Sequence, residues 1–118
     1  MAARLRQARQ LRGLSQREVG VRMGLDKDTA SARISRYESE SMAISLESLF
    51  ELAVALNVPP AYMLASSPAM ANAILALGAA SDDQQALLAD LLNALNTMPT
   101  KERKAWVERL LESRKKSP

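Results

Sequence analysis

The chain holds no histidine and no cysteine, which removes imidazole acid–base catalysis, thiol nucleophiles, disulfides and most transition-metal sites together. Carboxylates, hydroxyls, lysines and arginines remain for chemistry. No acid pair and no nucleophile beside a base stands at a spacing that a catalytic site would use, so neither an enzyme nor a metal or organic cofactor is expected. The charges are unevenly placed. Residues 1–40 carry nine Lys/Arg against five Asp/Glu, residues 41–99 none against five, and residues 100–118 seven against three. A basic first segment suits a polyanion such as DNA, with solvated helix faces and a basic tail as the plain alternative.

The elements that position these charges read as helices throughout. Apolar content is 47% with only one Trp, two Tyr and one Phe, so a core must be built from Leu, Ala, Val, Ile and Met. Leu5, Ala8 and Leu11 recur three apart in a first helix that stops at Gly13. Ser15 caps a second, with Glu18 completing a capping box, Val19 and Met23 facing inward, and Gly24 ending it. A polar stretch, residues 25–31, precedes a third helix through Ala32-Arg33-Ile34-Ser35-Arg36-Tyr37-Glu38. Ser45 caps a fourth whose inward face is expected to be Leu46, Leu49, Phe50, Ala53 and Leu56. Asn57-Val58-Pro59-Pro60 ends it and starts a short fifth helix through Leu64. No strand signal and no membrane span appear, so the expected fold class is all-α and the expected location cytoplasmic.

Within this pattern Gly20 and Gly24 stand four apart, with Gln16 four residues before them. A helix-turn-helix needs a small residue where its helices cross and a residue tolerant of positive φ in its turn. The surrounding Arg9-Gln10-Leu11-Arg12-Gly13-Leu14-Ser15-Gln16, Met23-Gly24-Leu25, Ile34-Ser35-Arg36-Tyr37-Glu38 and Ser45-Leu46-Glu47-Ser48-Leu49 resemble the Cro/repressor, or xenobiotic response element, family over residues 3–65. That resemblance implies a five-helix DNA-binding domain in residues 1–65, acting on double-stranded DNA as a homodimer. It implies that Gln16 bonds a phosphate and that Ser31, Ala32, Arg33 and Arg36, with Ser35 beside them, face base edges. It also implies that Arg9 and Glu38 pair to tie the first helix to the end of the third. Lys27 falls where a DNA backbone would pass, and Arg33 is open between base, phosphate and a local acid.

The sequence departs from the family in two places. The connection from Gly24 to the third helix is four residues longer than usual, so either the turn is an elongated loop or the helix begins near Asp28. Beyond Glu38 the chain has Ser39-Glu40 where Gly and a basic residue are common, and Ile44 where Pro is common.

Residues 66–118 change style and are expected to form a C-terminal helical extension for dimerisation or partner docking. An Ala-rich stretch closes on Gly78. Ser81-Asp82-Asp83-Gln84 opens a helix with Leu87, Leu88, Leu91, Leu92 and Leu95 on one side, and Pro99-Thr100 opens another with Trp106, Val107, Leu110 and Leu111. A hairpin of these two leaves apolar surface for the Ala-rich helix or for a second subunit. The implied activity is a transcriptional regulator, most simply a repressor. The alternative is an antitoxin-like protein whose residues 66–118 bind another protein. The basic end Arg114-Lys115-Lys116 reads as a solvated tail or an extra phosphate contact.

Overall fold

The structure, a computed structural model, describes residues 1–116, the last by its backbone alone. Lys116's side chain, the last of the basic end read from the sequence, therefore lies outside the described residues, as do Ser117 and Pro118. The described chain is all-helical: α1 (Ala2–Leu11), α2 (Gln16–Arg22), α3 (Ala30–Glu38), α4 (Leu46–Leu56), α5 (Pro60–Leu64), α6 (Pro68–Gly78), α7 (Asp82–Thr97) and α8 (Thr100–Lys116). No helix of the described residues is long and apolar enough to cross a membrane. Two compact units divide the chain, residues 1–79 and 80–118.

Helix ends in the first unit follow from residues that side-chain and backbone bonding require there. Ser15 accepts from the Glu18 amide at 3.0 Å while Glu18 returns a bond from the Ser15 amide at 3.1 Å, so the expected capping box closes. Helices α1, α2 and α4 end on the left-handed residues Gly13 (φ 67°), Gly24 (φ 97°) and Asn57 (φ 52°). The amide after each reaches back to a carbonyl five residues earlier, Leu14 to Arg9, Leu25 to Gly20 and Val58 to Ala53. These are Schellman endings, which satisfy the last carbonyls and turn an apolar residue back onto the core. Leu14 and Val58 are indeed buried.

Leu5 and Ala8 of α1, Val19 of α2, Ile34 and Tyr37 of α3, and Leu52 and Leu56 of α4 form the heart of the core. Here α4 corrects the reading of its inward face. Leu49, Leu52, Ala53 and Leu56 are buried, whereas Leu46 and Phe50 are 68% and 52% exposed and line up with the exposed Val54. The helix carries two apolar stripes: positions 49, 52, 53 and 56 follow the helical repeat onto the core, and 46, 50 and 54 ascend on the other side.

The first compact unit takes in α6 as well as α1 to α5. Ser67 caps α6 by accepting from the Met70 amide at 3.1 Å, Ala71 is fully buried, and Ile74 and Leu75 pack against the core. A Cβ on Gly78 would stand 2.5 Å from Pro59 Cγ, so the glycine lets the end of α6 lie directly against the start of α5. Arg4 Nε donates to the Ala65 carbonyl at 3.1 Å, holding the α5–α6 junction to α1. The second unit is the pair α7 and α8. Ser81 and Gln84 close the second capping box, and Met98, extended at φ −77° and ψ 149°, leads through Pro99 into α8.

Candidate nucleic-acid interface

The crossing of α2 on α3 is set by one contact. Gly20 and Ala30 are both buried, and a Cβ on Gly20 would lie 2.6 Å from the Ala30 Cβ and 2.9 Å from its Cα. Any side chain at position 20 would push the helices apart. Gly24, at φ 97°, then turns the chain away at the end of α2.

The lengthened connection resolves into a turn. The Thr29 and Ala30 amides donate to the Asp26 carbonyl at 3.0 and 2.9 Å, and the Thr29 hydroxyl reaches the same oxygen at 3.2 Å. Residues 25–29 are therefore a loop closing on Asp26, and α3 begins at Ala30, two residues before the start read from the sequence. Lys27 sits exposed at the tip of that turn.

Along α3, Ala30, Ile34, Tyr37 and Glu38 face the interior, which leaves Ser31, Ala32, Arg33, Ser35 and Arg36 exposed together. Ala32 and Arg36, four residues apart, lie opposite the buried stripe, with Ser31 and Ser35 on one flank and Arg33 on the other. Three small side chains on this face leave the helix backbone open to close approach while two guanidinium groups project beyond it.

Glu38, the last residue of α3, gathers the neighbouring helices. Its carboxylate accepts from Arg9 Nε at 2.7 Å and Arg9 Nη2 at 3.0 Å, and from Arg6 Nε at 3.2 Å. The pair expected from Arg9 and Glu38 thus forms as a two-pronged contact, and Arg6 joins it. Arg9 also donates to the Leu14 carbonyl at 3.2 Å. The Glu38 side chain is 1% exposed and that of Arg9 17%. Burial pushes the Glu38 carboxyl upward, but the hydrogen bonds from Arg9 and Arg6, the Arg9 charge and a hydrogen bond from the Gln16 side chain outweigh it and hold the group below its ordinary range. Gln16 is the first residue of α2 and half-buried.

Sequence reasoning missed Arg6 here, although its spacing of three from Arg9 on α1 was a usable signal. It also counted Arg4 and Arg12 among the charges of a basic surface. Arg12 instead donates to the Leu56 carbonyl at 2.9 Å and the Asn57 carbonyl at 2.7 Å, capping the C-terminal end of α4. Arg17 and Arg22 of α2, by contrast, are exposed. Among the described residues no cluster of acidic side chains could hold a metal ion.

Residues 5–63 match the helix-turn-helix family. The crystal structure of the transcriptional regulator BswR superposes with a TM-score of 0.74 at 30% sequence identity, covering 80% of this chain and 93% of that one. No curated protein sequence matches the chain. The match covers half of the chain and falls on the glycine-set crossing of α2 and α3; the protein belongs to the helix-turn-helix family of the xenobiotic response element type and is a DNA-binding transcriptional regulator.

Proposed function

We propose that the protein is a sequence-specific repressor that binds a two-fold symmetric operator as a homodimer in the cytoplasm, each copy laying α3 in the major groove. The observation that carries this reading is the outward face of α3, where small residues surround Arg36 opposite a buried stripe. A helix enters the groove only if its leading face is slim, and a guanidinium is the best single reader of guanine, donating to O6 and N7 together. Arg36 takes that role. Ser31, Ala32 and Ser35 approach base edges or the thymine methyl, and Arg33 reaches a base or the flanking phosphate.

Phosphate contacts set the register. Gln16 donates to one phosphate from the start of α2, and Lys27 meets the backbone from the turn before α3. Arg17, exposed next to Gln16, joins them. Repression follows from occupancy: a dimer spanning two half-sites excludes other proteins from that stretch of promoter.

Selection of bound sequences from random duplex DNA tests this reading. The expected product is a palindromic consensus whose half-sites lie about one helical turn apart, ~34 Å centre to centre, or a multiple of it. Recovery of unrelated sequences with no shared half-site would contradict it.

A further inference from the structure

Resting on the homodimer reading above, we infer that α7 and α8 of two copies interlock as a four-helix bundle, with α7 of one copy against α8 of the other. The second unit lacks an interior of its own. No residue of α7 is buried, and the large apolar side chains of both helices, Leu87, Leu88, Leu91 and Leu92 on α7 and Trp106, Val107, Leu110 and Leu111 on α8, are between 37 and 71% exposed. A cleft of about 410 Å³ is lined by Leu91 and Leu95 of α7 and by Trp106, Val107 and Leu110 of α8.

A pair of helices with its apolar faces in water does not offset the entropy of its own ordering, so another surface completes it. The amount of surface fits a second copy. Eight large apolar side chains per chain each stay more than a third exposed, a set able to form the apolar centre of a standard interface, to which each partner contributes ~800 Å². Two-fold symmetry brings like patches together, and charge then selects which helix faces which. α7 carries Asp82, Asp83 and Asp90 with no Lys or Arg, whereas α8 carries seven basic residues against three acidic ones. Pairing α7 with α7 would set acid against acid. In the alternating order α7, α8, α7, α8 around the bundle, every neighbouring pair joins a net acidic helix to a net basic one.

The full chain is free of cysteine, which makes the arrangement open to cross-linking. Leu91→Cys in a size-tagged copy and Leu110→Cys in an untagged copy are mixed and oxidised mildly. The expected product is the mixed disulfide in several-fold excess over either homodimeric disulfide. Dominance of the Leu91→Cys homodimer would overturn the α7-on-α8 order. Light scattering on the intact chain, the Leu91→Glu variant and the Phe50→Glu variant locates the interface. Leu91→Glu is expected to be monomeric with the melting transition of the first unit kept, and to lose at least tenfold in affinity for the full operator. Phe50→Glu, on the exposed stripe of α4, is expected to stay dimeric. A dimer lost in Phe50→Glu and kept in Leu91→Glu would overturn this inference while leaving the DNA-binding dimer standing. A monomeric wild-type chain that occupies both half-sites only independently would overturn both.

Discussion

Replacing Glu38 by alanine removes the carboxylate that α1, α2 and α3 share, and the size of the loss can be worked from the contacts. Breaking a buried ion pair costs about 3–5 kcal/mol because the surviving charge is left without a partner. Glu38 is fully enclosed, but Arg9 keeps 17% of its side chain in water and Arg6 55%, and Arg9 retains its bond to the Leu14 carbonyl. Exposed partners contribute at most about 1 kcal/mol, so the expected loss at neutral pH is about 2–3 kcal/mol. For a unit of this size that is a fall of roughly 10–20 °C in melting temperature, read by circular dichroism. Arg9→Ala and the double mutant complete a cycle, and the double loss should be smaller than the sum of the single losses by at least ~1 kcal/mol. Additive losses would refute the pairing. The pH dependence has a fixed sign. A carboxyl held below its ordinary value in the folded state contributes stability above the unfolded pKa of about 4.3, and that contribution disappears as pH falls through the lower folded value. The gap between wild type and Glu38→Gln should therefore be full at pH 7 and close below about pH 4. A gap unchanged in acid would contradict the ionised, hydrogen-bonded state of Glu38.

Two further substitutions probe the frame around α3. Gly20→Ala should destabilise by about 1–3 kcal/mol despite alanine's better helix propensity, because its methyl meets the Ala30 Cα at 2.9 Å, where backbone must move; a thermal melt at or above the wild-type value would show that the crossing relaxes. Glu40 holds φ 64° in the exposed loop after α3, a conformation that costs a side chain about 1 kcal/mol, so Glu40→Gly should raise stability by up to ~0.5–1 kcal/mol after the entropy of the unfolded glycine is counted. Removing that negative charge should also tighten binding to any duplex, measured by fluorescence anisotropy, and unchanged binding would place the loop away from the phosphates.

The helices, the capping boxes and the Gly20 and Gly24 roles were legible in the sequence because each rests on local chemistry: a hydroxyl three residues before a Glu or Gln, a residue without a side chain at a crossing, or one that tolerates a positive φ. The exposed set on α3 was legible once Ile34 and Tyr37 fixed the buried stripe. The face of α4 was not, since Leu46 and Phe50 are as apolar as Leu49 and Leu52, and only the tertiary partner decides between two stripes on one helix. The packing of α6 onto the first unit was hidden for a similar reason. Nothing in the composition of the Ala-rich α6 assigns it to the first unit, and its place is fixed by Gly78 against Pro59, a contact between residues far apart in the chain. Charge misled in part. Arg4, Arg6, Arg9 and Arg12 count toward a basic segment, yet they serve backbone carbonyls and a buried acid, leaving Arg17, Arg22, Lys27, Arg33 and Arg36 to define the outer basic surface.

The most direct test of α3 as the reader of DNA is the affinity of Arg36→Ala for the selected operator and for a scrambled duplex at one fixed salt concentration. A bidentate contact to guanine is worth about 1–3 kcal/mol, so operator affinity should fall roughly five- to 150-fold while scrambled DNA binds nearly as before. An equal loss on both duplexes would make Arg36 a phosphate contact, and no loss on either would remove α3 from the groove.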